Sequence, residues 1–197
     1  MDALELFTTR RSTRSFTDEP VDEGQLAQLI EAAQHAPSGG NSQTTRLIVI
    51  RSRAVLGQLT ELVERTFAQM EEVPGMYRSL ASSIRKSKAG GYVFHYGAPV
   101  LVLACNKRDY GNAMADSSCA LDNLMLMANA LDLGSCWINQ LHWLTDEPPV
   151  HDALLGLGMQ PDETCCGGVA VGHAATEDGL PLRTPLPRTG NPVVFVD

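Results

Sequence analysis

The sequence predicts a single mixed domain in which helices and short β-strands share one core. Apolar residues recur at helical spacing in three long segments, and short runs of β-branched residues lie between them. Proline and glycine stand at the ends of several of these segments, where they interrupt regular structure. With 197 residues and 44% hydrophobic content, the chain can bury its own core, and no repeat or linker divides it. We therefore expect residues 1–197 to form one domain.

The first well-marked elements are a helix and a strand joined by a glycine loop. Asp22 follows Pro20 and is suited to cap a helix, and Pro37 closes the segment. Within it, four apolar residues share one helical face: Leu26, Leu29, Ile30 and Ala33. The β-branched run 47–50 then predicts a short buried strand.

The next elements are a second helix and a less regular segment. The helix ends at Pro74 and Gly75, and its core face consists of Leu56, Leu59, Val63, Phe67 and Met70. Segment 76–96 mixes charged and aromatic residues, as is typical of an amphipathic surface helix followed by a loop.

The second half of the chain opens with a predicted buried strand at 99–105 and a long, largely apolar helix at 113–131. Large apolar patches are rare on soluble monomers, so we expect a dimer interface to cover this helix. Gly134 stands where a left-handed helix C-cap is expected, just before a predicted strand at 135–138.

Charge and composition exclude several classes of function. The net charge is -8, and residues 109–182 contain no lysine or arginine but eleven acidic residues. Phosphate-backbone binding needs a basic face, so a nucleic-acid partner is not expected. The first residues lack a basic stretch followed by an apolar run, and no apolar stretch is long enough to span a bilayer. We therefore expect a cytoplasmic protein without a membrane partner.

The five cysteines are an odd number and lie mostly in apolar segments: Cys105, Cys119, Cys136, Cys165 and Cys166. Buried, reduced thiols explain this better than disulfides do. Cys165 and Cys166 are adjacent, which does not match the usual zinc spacings, and the histidines lack partners at ligand spacing. No metal site is expected.

The clearest functional motif is a basic cluster near the start of the chain. Segment 10–14 gathers Arg10, Arg11 and Arg14, three of the chain's twelve arginines, around Ser12. Guanidinium groups carry a permanent charge and a rigid fork of donors, which suits a phosphate. A solvated basic turn is the alternative.

A second motif lies at residues 36–43, where glycines that allow close backbone approach alternate with polar residues: Pro37, Ser38, Gly39, Gly40, Asn41, Ser42 and Gln43. The two motifs together resemble the start of the nitroreductase family. The match extends through Gly97-Ala98-Pro99, the helix at 120–126 with the strand that follows it, and the late segment 168–173.

The resemblance implies a fold and a shared cofactor site. The expected fold is α+β, a three-layer sandwich with a mixed, mainly antiparallel sheet flanked by helices, dimeric with an exchanged C-terminal extension. The expected cofactor is FMN, bound at the subunit interface. Arg10 and Ser12 would hold the phosphate with Arg188, Arg14 would reach the ribityl chain or the pyrimidine edge, and Arg11 is the least certain member. The partner subunit would contribute Pro37, Ser38, Gly39 and Asn41.

Two further regions follow from the same resemblance. Backbone groups at Asn139 and Gln140 are expected against the reactive edge of the flavin, where an N–H can donate to N5. His142 and Trp143 either line the substrate face or pack as a structural pair. Family members commonly end in Lys-x-Arg, but here Gly190 replaces the second basic residue, so Arg188 stands alone unless Arg183 compensates. The β-prone tail 193–196 would be the exchanged extension.

The implied function is that of an FMN-dependent oxidoreductase acting by a ping-pong mechanism. NADH or NADPH would deliver hydride and leave, and a nitroaromatic, quinone or activated alkene would then accept the electrons. Three other reactions use the same fold: reductive dehalogenation, flavin cleavage and ring dehydrogenation. Halotyrosine deiodinase relatives grip their substrate with Glu, Tyr and Lys, types present here as Glu72, Tyr77 and Lys86 at unconvincing spacing. A non-catalytic FMN-binding or sensing module is the alternative from another class.

Overall fold

A computed structural model describes residues 2–196 and places a four-stranded antiparallel sheet between two layers of helices. The strands are β1 (Arg46–Ile50), β2 (Val100–Lys107), β3 (Gly134–Ile138) and β4 (Glu163–Gly172), in the order β1-β2-β4-β3. The helices are α1 (Ala3–Thr9), α2 (Glu23–Gln34), α3 (Arg53–Ala68), α4 (Arg78–Ala89), α5 (Ala113–Ala130), α6 (Gln140–Trp143) and α7 (Pro148–Gly156). A single 3₁₀ turn covers Gly39–Asn41.

The side chains of β2 point alternately to the two faces of the sheet and belong to two separate core clusters, one on each face. Val100, Val102 and Ala104 pack with α2 and α5. Leu101, Leu103 and Cys105 point to the other face and pack with α3, α4 and α7. Because successive residues of a strand point to opposite faces, a central strand that is apolar throughout requires cover on both sides. The predicted α+β sandwich is confirmed.

The helix boundaries follow local chemistry that the sequence made visible. The Asp22 carboxylate accepts the N–H of Gly24 at 2.8 Å and that of Gln25 at 3.3 Å, which confirms the predicted N-cap of α2. Ser52 caps α3 in the same way through the N–H of Val55. Strand β1 begins one residue earlier than predicted, and α5 ends one residue earlier.

The predicted role of Gly134 is wrong. The left-handed residue after α5 is Asp132, with φ of 61°, and Gly134 is the first residue of β3. Its small size serves close packing instead, because a Cβ there would lie 2.7 to 2.8 Å from side-chain atoms of Thr13. The N-terminal segment can therefore lie directly against the start of β3.

Helix α5 finds most of its cover within one chain. Leu121, Leu124 and Ala128 are fully buried against the sheet and α2. The apolar character of this helix therefore does not by itself require a partner subunit. Residues 193–196 form no strand and are 76 to 91% exposed.

Segment 76–96 contributes to the core, so the prediction of a surface element is wrong in part. Helix α4 packs on α3 and buries Ala81 and Ile84, and Phe94 is fully buried in the loop that follows. Four of the five cysteines are buried free thiols, as predicted, whereas Cys119 is exposed on α5. No helix in residues 2–196 combines the length and apolarity needed to cross a bilayer.

The ion pair of Arg46 with Glu163 joins β1 to β4 across the end of the sheet. Glu163 is only 3% exposed, and its carboxylate accepts from Arg46 Nε at 2.8 Å and from the Gln160 N–H at 2.9 Å. A buried carboxylate needs such partners, because an unpaired charge is costly to remove from water. The charge and hydrogen bond of Glu163 raise the pKa of Arg46.

We expect Arg46→Met to lower the free energy of unfolding by about 1.5–3 kcal/mol, the value of a hydrogen bond to a charged group. The matched control is Arg53→Met, which breaks an exposed pair with Asp18 and should cost at most about 1 kcal/mol. Urea unfolding of both variants measures the difference, and equal losses would contradict the assigned role of Glu163.

Candidate functional site

The basic cluster lies along the outer edge of β3. After α1 ends at Thr9, the chain becomes extended, Ser12 pairs with Ser135, and the Thr13 N–H donates to the Ser135 carbonyl at 2.9 Å. Residues two apart in an extended segment point the same way. The side chains of Arg10, Ser12 and Arg14 are therefore presented together.

The surroundings of Cys136 in β3 confirm this convergence. Burial raises the pKa of the Cys136 thiol, and three groups act against it: the charge of Arg14, a hydrogen bond with Ser12 and the charge of Arg10. Both guanidinium groups and the hydroxyl therefore lie within electrostatic reach of one position on the strand.

Arg10 and Arg14 belong to the half of the chain's arginines that lack a carboxylate partner among residues 2–196. Six of the twelve arginines form ion pairs within the described residues: Arg46, Arg51, Arg53, Arg85, Arg108 and Arg183. Arg10 and Arg14 form none there, although the chain carries a net charge of -8. Their charge is available for an anion that is not part of the chain.

Arg14 has an aromatic neighbour that the sequence did not reveal. Its guanidinium carbon lies 6.0 Å from the centroid of the Tyr96 ring, within range of a cation–π interaction. Tyr96 itself has a φ of 59°, a left-handed conformation that is unusual for an aromatic residue. Such backbone strain is concentrated at functional sites.

Arg11 is separated from the cluster by its own contact. Its Nη1 donates to the Thr184 carbonyl at 2.6 Å and so holds the C-terminal segment against the N-terminal one. Arg183 is also engaged, because its Nη2 lies 2.5 Å from the Asn129 carbonyl and 2.5 Å from Asp132 Oδ1. Arg183 is therefore not free to replace the missing basic residue at 190.

Arg188 remains exposed, with neither a hydrogen bond nor an ion pair among residues 2–196. Nearby Gly190 has an ordinary φ, and a Cβ built on it meets nothing within 4 Å. Position 190 therefore tolerates a side chain, and glycine is not required there by the backbone.

The loop at 36–43 is held in place by contacts with α5 and with the residues just before that helix. Both carboxylate oxygens of Asp116 lie 3.2 Å from the Gly39 N–H, and the Tyr110 hydroxyl lies 2.8 Å from Asp116 Oδ2 and 3.2 Å from the Gly39 carbonyl. A Cβ on Gly39 would lie 2.2 Å from Asn112 Nδ2. Gly39 thus permits close packing. We expected its amide to be free for a ligand, but the amide is bonded to Asp116.

The rest of this loop is held in an unusual backbone conformation. Gly40, Asn41 and Gln43 all have positive φ values, of 59°, 55° and 50°. The Ser38 hydroxyl accepts the N–H of Gln43 at 3.1 Å and closes the turn. A cavity of about 600 Å³ is lined by Pro37, Ser38, Asn41, Gln43 and the end of α2. No hydrogen bond or ion pair links this loop to Arg10, Ser12 or Arg14 within the described chain.

The turn after β3 presents backbone donors. Asn139 Oδ1 accepts from Trp137 Nε1 at 2.6 Å, and the Asn139 N–H donates to Gln140 Oε1 at 3.1 Å. The Gln140 N–H begins α6 and finds no acceptor within residues 2–196, as is usual for the first turn of a helix. Of the two predicted backbone donors, only that of Gln140 remains free.

His142 and Trp143 have separate partners and are not stacked on one another. His142 Nδ1 lies 2.8 Å from the Cys165 carbonyl. The Trp143 ring meets Tyr77 edge to face, with centroids 5.9 Å apart and planes at 74°. Trp143 thus connects α6 with the start of α4.

His95 is a buried titratable group that the sequence analysis overlooked. The Thr60 hydroxyl donates to the Leu56 carbonyl at 2.9 Å, so its oxygen accepts from His95 Nε2, 3.1 Å away. Nδ1 of His95 is buried without a partner. Burial lowers the pKa of His95 and keeps the ring neutral. No group of three metal-ligating side chains occurs in residues 2–196.

Comparison with known proteins shows which family the chain belongs to. Residues 7–173 match the model of the nitroreductase family. The chain is 31% identical to an NADH dehydrogenase of Thermus thermophilus over 95% of this chain and 94% of that protein. It is 30% identical to a putative NADH dehydrogenase/NAD(P)H nitroreductase of Archaeoglobus fulgidus, covering 70% of this chain and 67% of that one. A solved nitroreductase with bound FMN from Bacteroides fragilis superimposes over the full length of both chains, with a TM-score of 0.86 and 28% identity.

The buried neutral His95 gives an expected pH dependence of stability. Its pKa is lowered in the folded protein, so the unfolded chain binds a proton first, at its ordinary pKa of 6.5. Stability should therefore fall as the pH drops from about 6.5 to the folded pKa and change no further below it. In His95→Gln this component should disappear, whereas His35→Gln, which alters an exposed histidine, should keep it. Urea unfolding between pH 5 and 8 measures the effect, and equal slopes in all three proteins would contradict it.

Proposed function

The chain belongs to the nitroreductase family, and on that premise we propose an FMN-dependent oxidoreductase that passes electrons from NADH or NADPH to small-molecule acceptors. The acceptor classes proposed are nitroaromatics, quinones and activated alkenes, used alternately with the nicotinamide in a ping-pong cycle. The names of the similar proteins support this reaction class. One observation of this chain carries the proposal. Two arginines without carboxylate partners lie beside β3, and in the turn that follows β3 the Gln140 N–H has no acceptor among residues 2–196.

The residues present fit FMN. A flavin mononucleotide needs one binding site for its single phosphate and polar contacts for the ribityl chain and the pyrimidine edge of the flavin ring. Arg10, Ser12 and Arg14 offer charged and neutral donors, and no carboxylate among the described residues competes for the two guanidiniums. The glycines at 39–40 follow a helix and precede a strand, which is the reverse of the order in a dinucleotide-binding motif. The donor set therefore favours FMN over FAD.

When bound, FMN supplies a reversible electron acceptor that amino-acid side chains lack. The protein orients this group and tunes it. Arg10 and Ser12 would bind the phosphate together with Arg188, and Arg14 would reach the ribityl chain or the pyrimidine edge. Tyr96 would hold the Arg14 side chain by its aromatic face.

At the reactive edge, the backbone N–H of Gln140 is the donor we assign to face N5. The N–H of Asn139 is already donated to the Gln140 side chain, so it is the weaker candidate. A fixed donor at the atom where charge develops lowers the barrier because it needs no reorganisation during the reaction.

A homodimer completes the proposed site. Pro37, Ser38, Gly39 and Asn41 would come from the partner subunit, in agreement with the lack of any hydrogen bond between this loop and the basic cluster of the same chain. The outer edge of β3 is occupied by Ser12, whereas β1 ends the sheet on the other side with no paired strand among residues 2–196. Segment 193–196 is exposed and β-prone, so we propose that it pairs with the β1 edge of the partner.

The dehalogenation alternative loses support from the structure. Glu72 pairs with Arg85, the Tyr77 ring packs on Trp143, and Lys86 lies over the Tyr92 ring at 5.8 Å. The three residue types that would grip a halogenated amino acid are therefore engaged with separate partners. A reaction of reduced nicotinamide with a diffusible acceptor makes no such demand.

The central test is reconstitution followed by turnover. We expect the purified protein to bind FMN, to release FMN and not FAD on denaturation, and to oxidise NADH or NADPH in the presence of a nitroaromatic or quinone. Chromatography identifies the chromophore, and absorbance at the nicotinamide band follows turnover. Released FAD would refute the assigned phosphate site, and tight FMN binding without turnover across an acceptor panel would establish a binding module instead.

The phosphate assignment has its own test. Removing a charge-assisted hydrogen bond costs about 1.5–3 kcal/mol, so Arg10→Ala should weaken FMN affinity roughly tenfold or more. Gly190→Arg should tighten it, because the backbone at 190 accepts a side chain. Arg65→Ala removes an exposed arginine without an ion pair on α3 and serves as the control. Fluorescence titration of apoprotein measures all three, and an unchanged affinity in Arg10→Ala would refute the assignment.

A further inference from the structure

The side chain of Gln140 is buried where the turn after β3 meets α4. Gln140 is only 7% exposed, and both ends of its carboxamide are used. Oε1 accepts the Asn139 N–H at 3.1 Å, and Nε2 donates to Tyr92 Oη at 2.7 Å, with Ser83 Oγ farther away at 3.5 Å. A polar group this deeply buried is tolerated only when its hydrogen bonds are satisfied.

The hydrogen bonds beyond Gln140 run in one direction into α4. Ser83 donates its hydroxyl proton to the Ser79 carbonyl at 3.2 Å, so Ser83 Oγ accepts from Tyr92 Oη, 3.0 Å away. Tyr92 Oη in turn accepts from Gln140 Nε2. Each group donates once to the next, and the series joins the turn to the backbone of α4.

Tyr92 is itself fixed on two sides, which makes it a firm anchor for this series. Its backbone N–H donates to Glu64 Oε1 of α3 at 2.7 Å, and Lys86 lies over its ring at 5.8 Å. Burial raises the pKa of the Tyr92 phenol, so the group stays protonated and can donate to Ser83.

We propose that Gln140 is a positioning residue for the flavin-facing turn. By taking up the Asn139 N–H, its carboxamide leaves the Gln140 N–H as the donor presented at the start of α6, and through Tyr92 and Ser83 it fixes that donor relative to α4. The start of α4, where Tyr77 packs on Trp143, and the turn proposed to face N5 are thereby held as one unit. This inference rests on the proposed function, because it places FMN against residues 139–140.

A purely stabilising role for the same hydrogen bonds makes a different prediction. If the network only supports folding, its loss lowers the free energy of unfolding and leaves the electronic properties of bound FMN unchanged. If the network aims the N–H, its loss alters the hydrogen bond at N5, and this changes the midpoint potential of the flavin and its visible absorption bands.

The test uses full-length holoprotein carrying Gln140→Met, Tyr92→Phe or both changes, with Thr66→Val as control. Gln140→Met removes both carboxamide bonds at similar volume, and Tyr92→Phe removes only the link to α4. Thr66→Val removes one buried hydrogen bond inside α3, to the Leu62 carbonyl. Four quantities are measured: unfolding of the apoprotein, FMN affinity, midpoint potential of bound FMN, and the rate of flavin reduction by NADH or NADPH.

We expect Gln140→Met to slow flavin reduction about fivefold to tenfold, as the loss of one or two neutral hydrogen bonds implies, and to shift the potential and the absorption bands. Tyr92→Phe should produce the same shifts with smaller size. The double variant should resemble Gln140→Met alone, because both changes act on one series of bonds. Thr66→Val should change only the unfolding midpoint.

The inference is overturned if Gln140→Met and Tyr92→Phe keep the wild-type potential and spectrum and lose only stability, as Thr66→Val does. Additive effects in the double variant would also overturn it. Should Gln140→Met fail to fold, Tyr92→Phe alone decides, since it keeps the Asn139 bond. Failure of the proposed function is seen separately, because the wild-type protein would then bind no FMN or transfer no electrons.

Discussion

The arrangement of the site depends on one interaction, the pairing of segment 10–14 with the outer edge of β3. The hydrogen bond from the Thr13 N–H to the Ser135 carbonyl fixes the register, and the absence of a side chain at Gly134 lets Thr13 approach the strand. Because extended residues alternate, this register aims Arg10, Ser12 and Arg14 to one side. The same strand continues into the turn at 139–140, so a single edge strand relates the arginine cluster to the backbone donor of Gln140.

The arginines beside the outer edge of β3 come from a different part of the sequence than the strand itself. Strands β3 and β4 and helix α5 all lie within residues 109–182, which contain no lysine or arginine. Arg10 and Arg14 lie in the segment that precedes this region in sequence, and the exposed Arg188 lies in the segment that follows it. Arg11 and Arg183 tie those two flanking segments together through Thr184 and the end of α5. In a protein of net charge -8, Arg10 and Arg14 thus place two guanidiniums without carboxylate partners beside one edge strand.

Local patterns predicted most of the fold, and long-range contacts account for most of what they missed. Helices α2, α3 and α5 and strands β1, β2 and β3 follow from apolar spacing and from caps such as Asp22, all of which are visible in a short window of sequence, whereas β4 was not predicted. The burial of α4 was missed because serines such as Ser83 look exposed in sequence, and the partners of its buried hydroxyl, Tyr92 and Gln140, lie far along the chain. Likewise, the left-handed turn after α5 falls on Asp132, although Gly134 is the residue that sequence reasoning favours.

The candidate site residues likewise divide into those that local sequence predicts and those whose roles depend on long-range contacts. Segment 10–14 was recognisable from composition alone, because arginines cluster there in an acidic chain. The fate of the Gly39 amide was not, since Asp116 lies 77 residues away in sequence and accepts that N–H. With this amide engaged and Ser38 closing the turn, Asn41 and Gln43 are held in left-handed conformations, which cost free energy for residues other than glycine. The hydrogen bonds to Asp116 and Ser38 therefore meet the conformational cost of this loop shape within the folded chain itself.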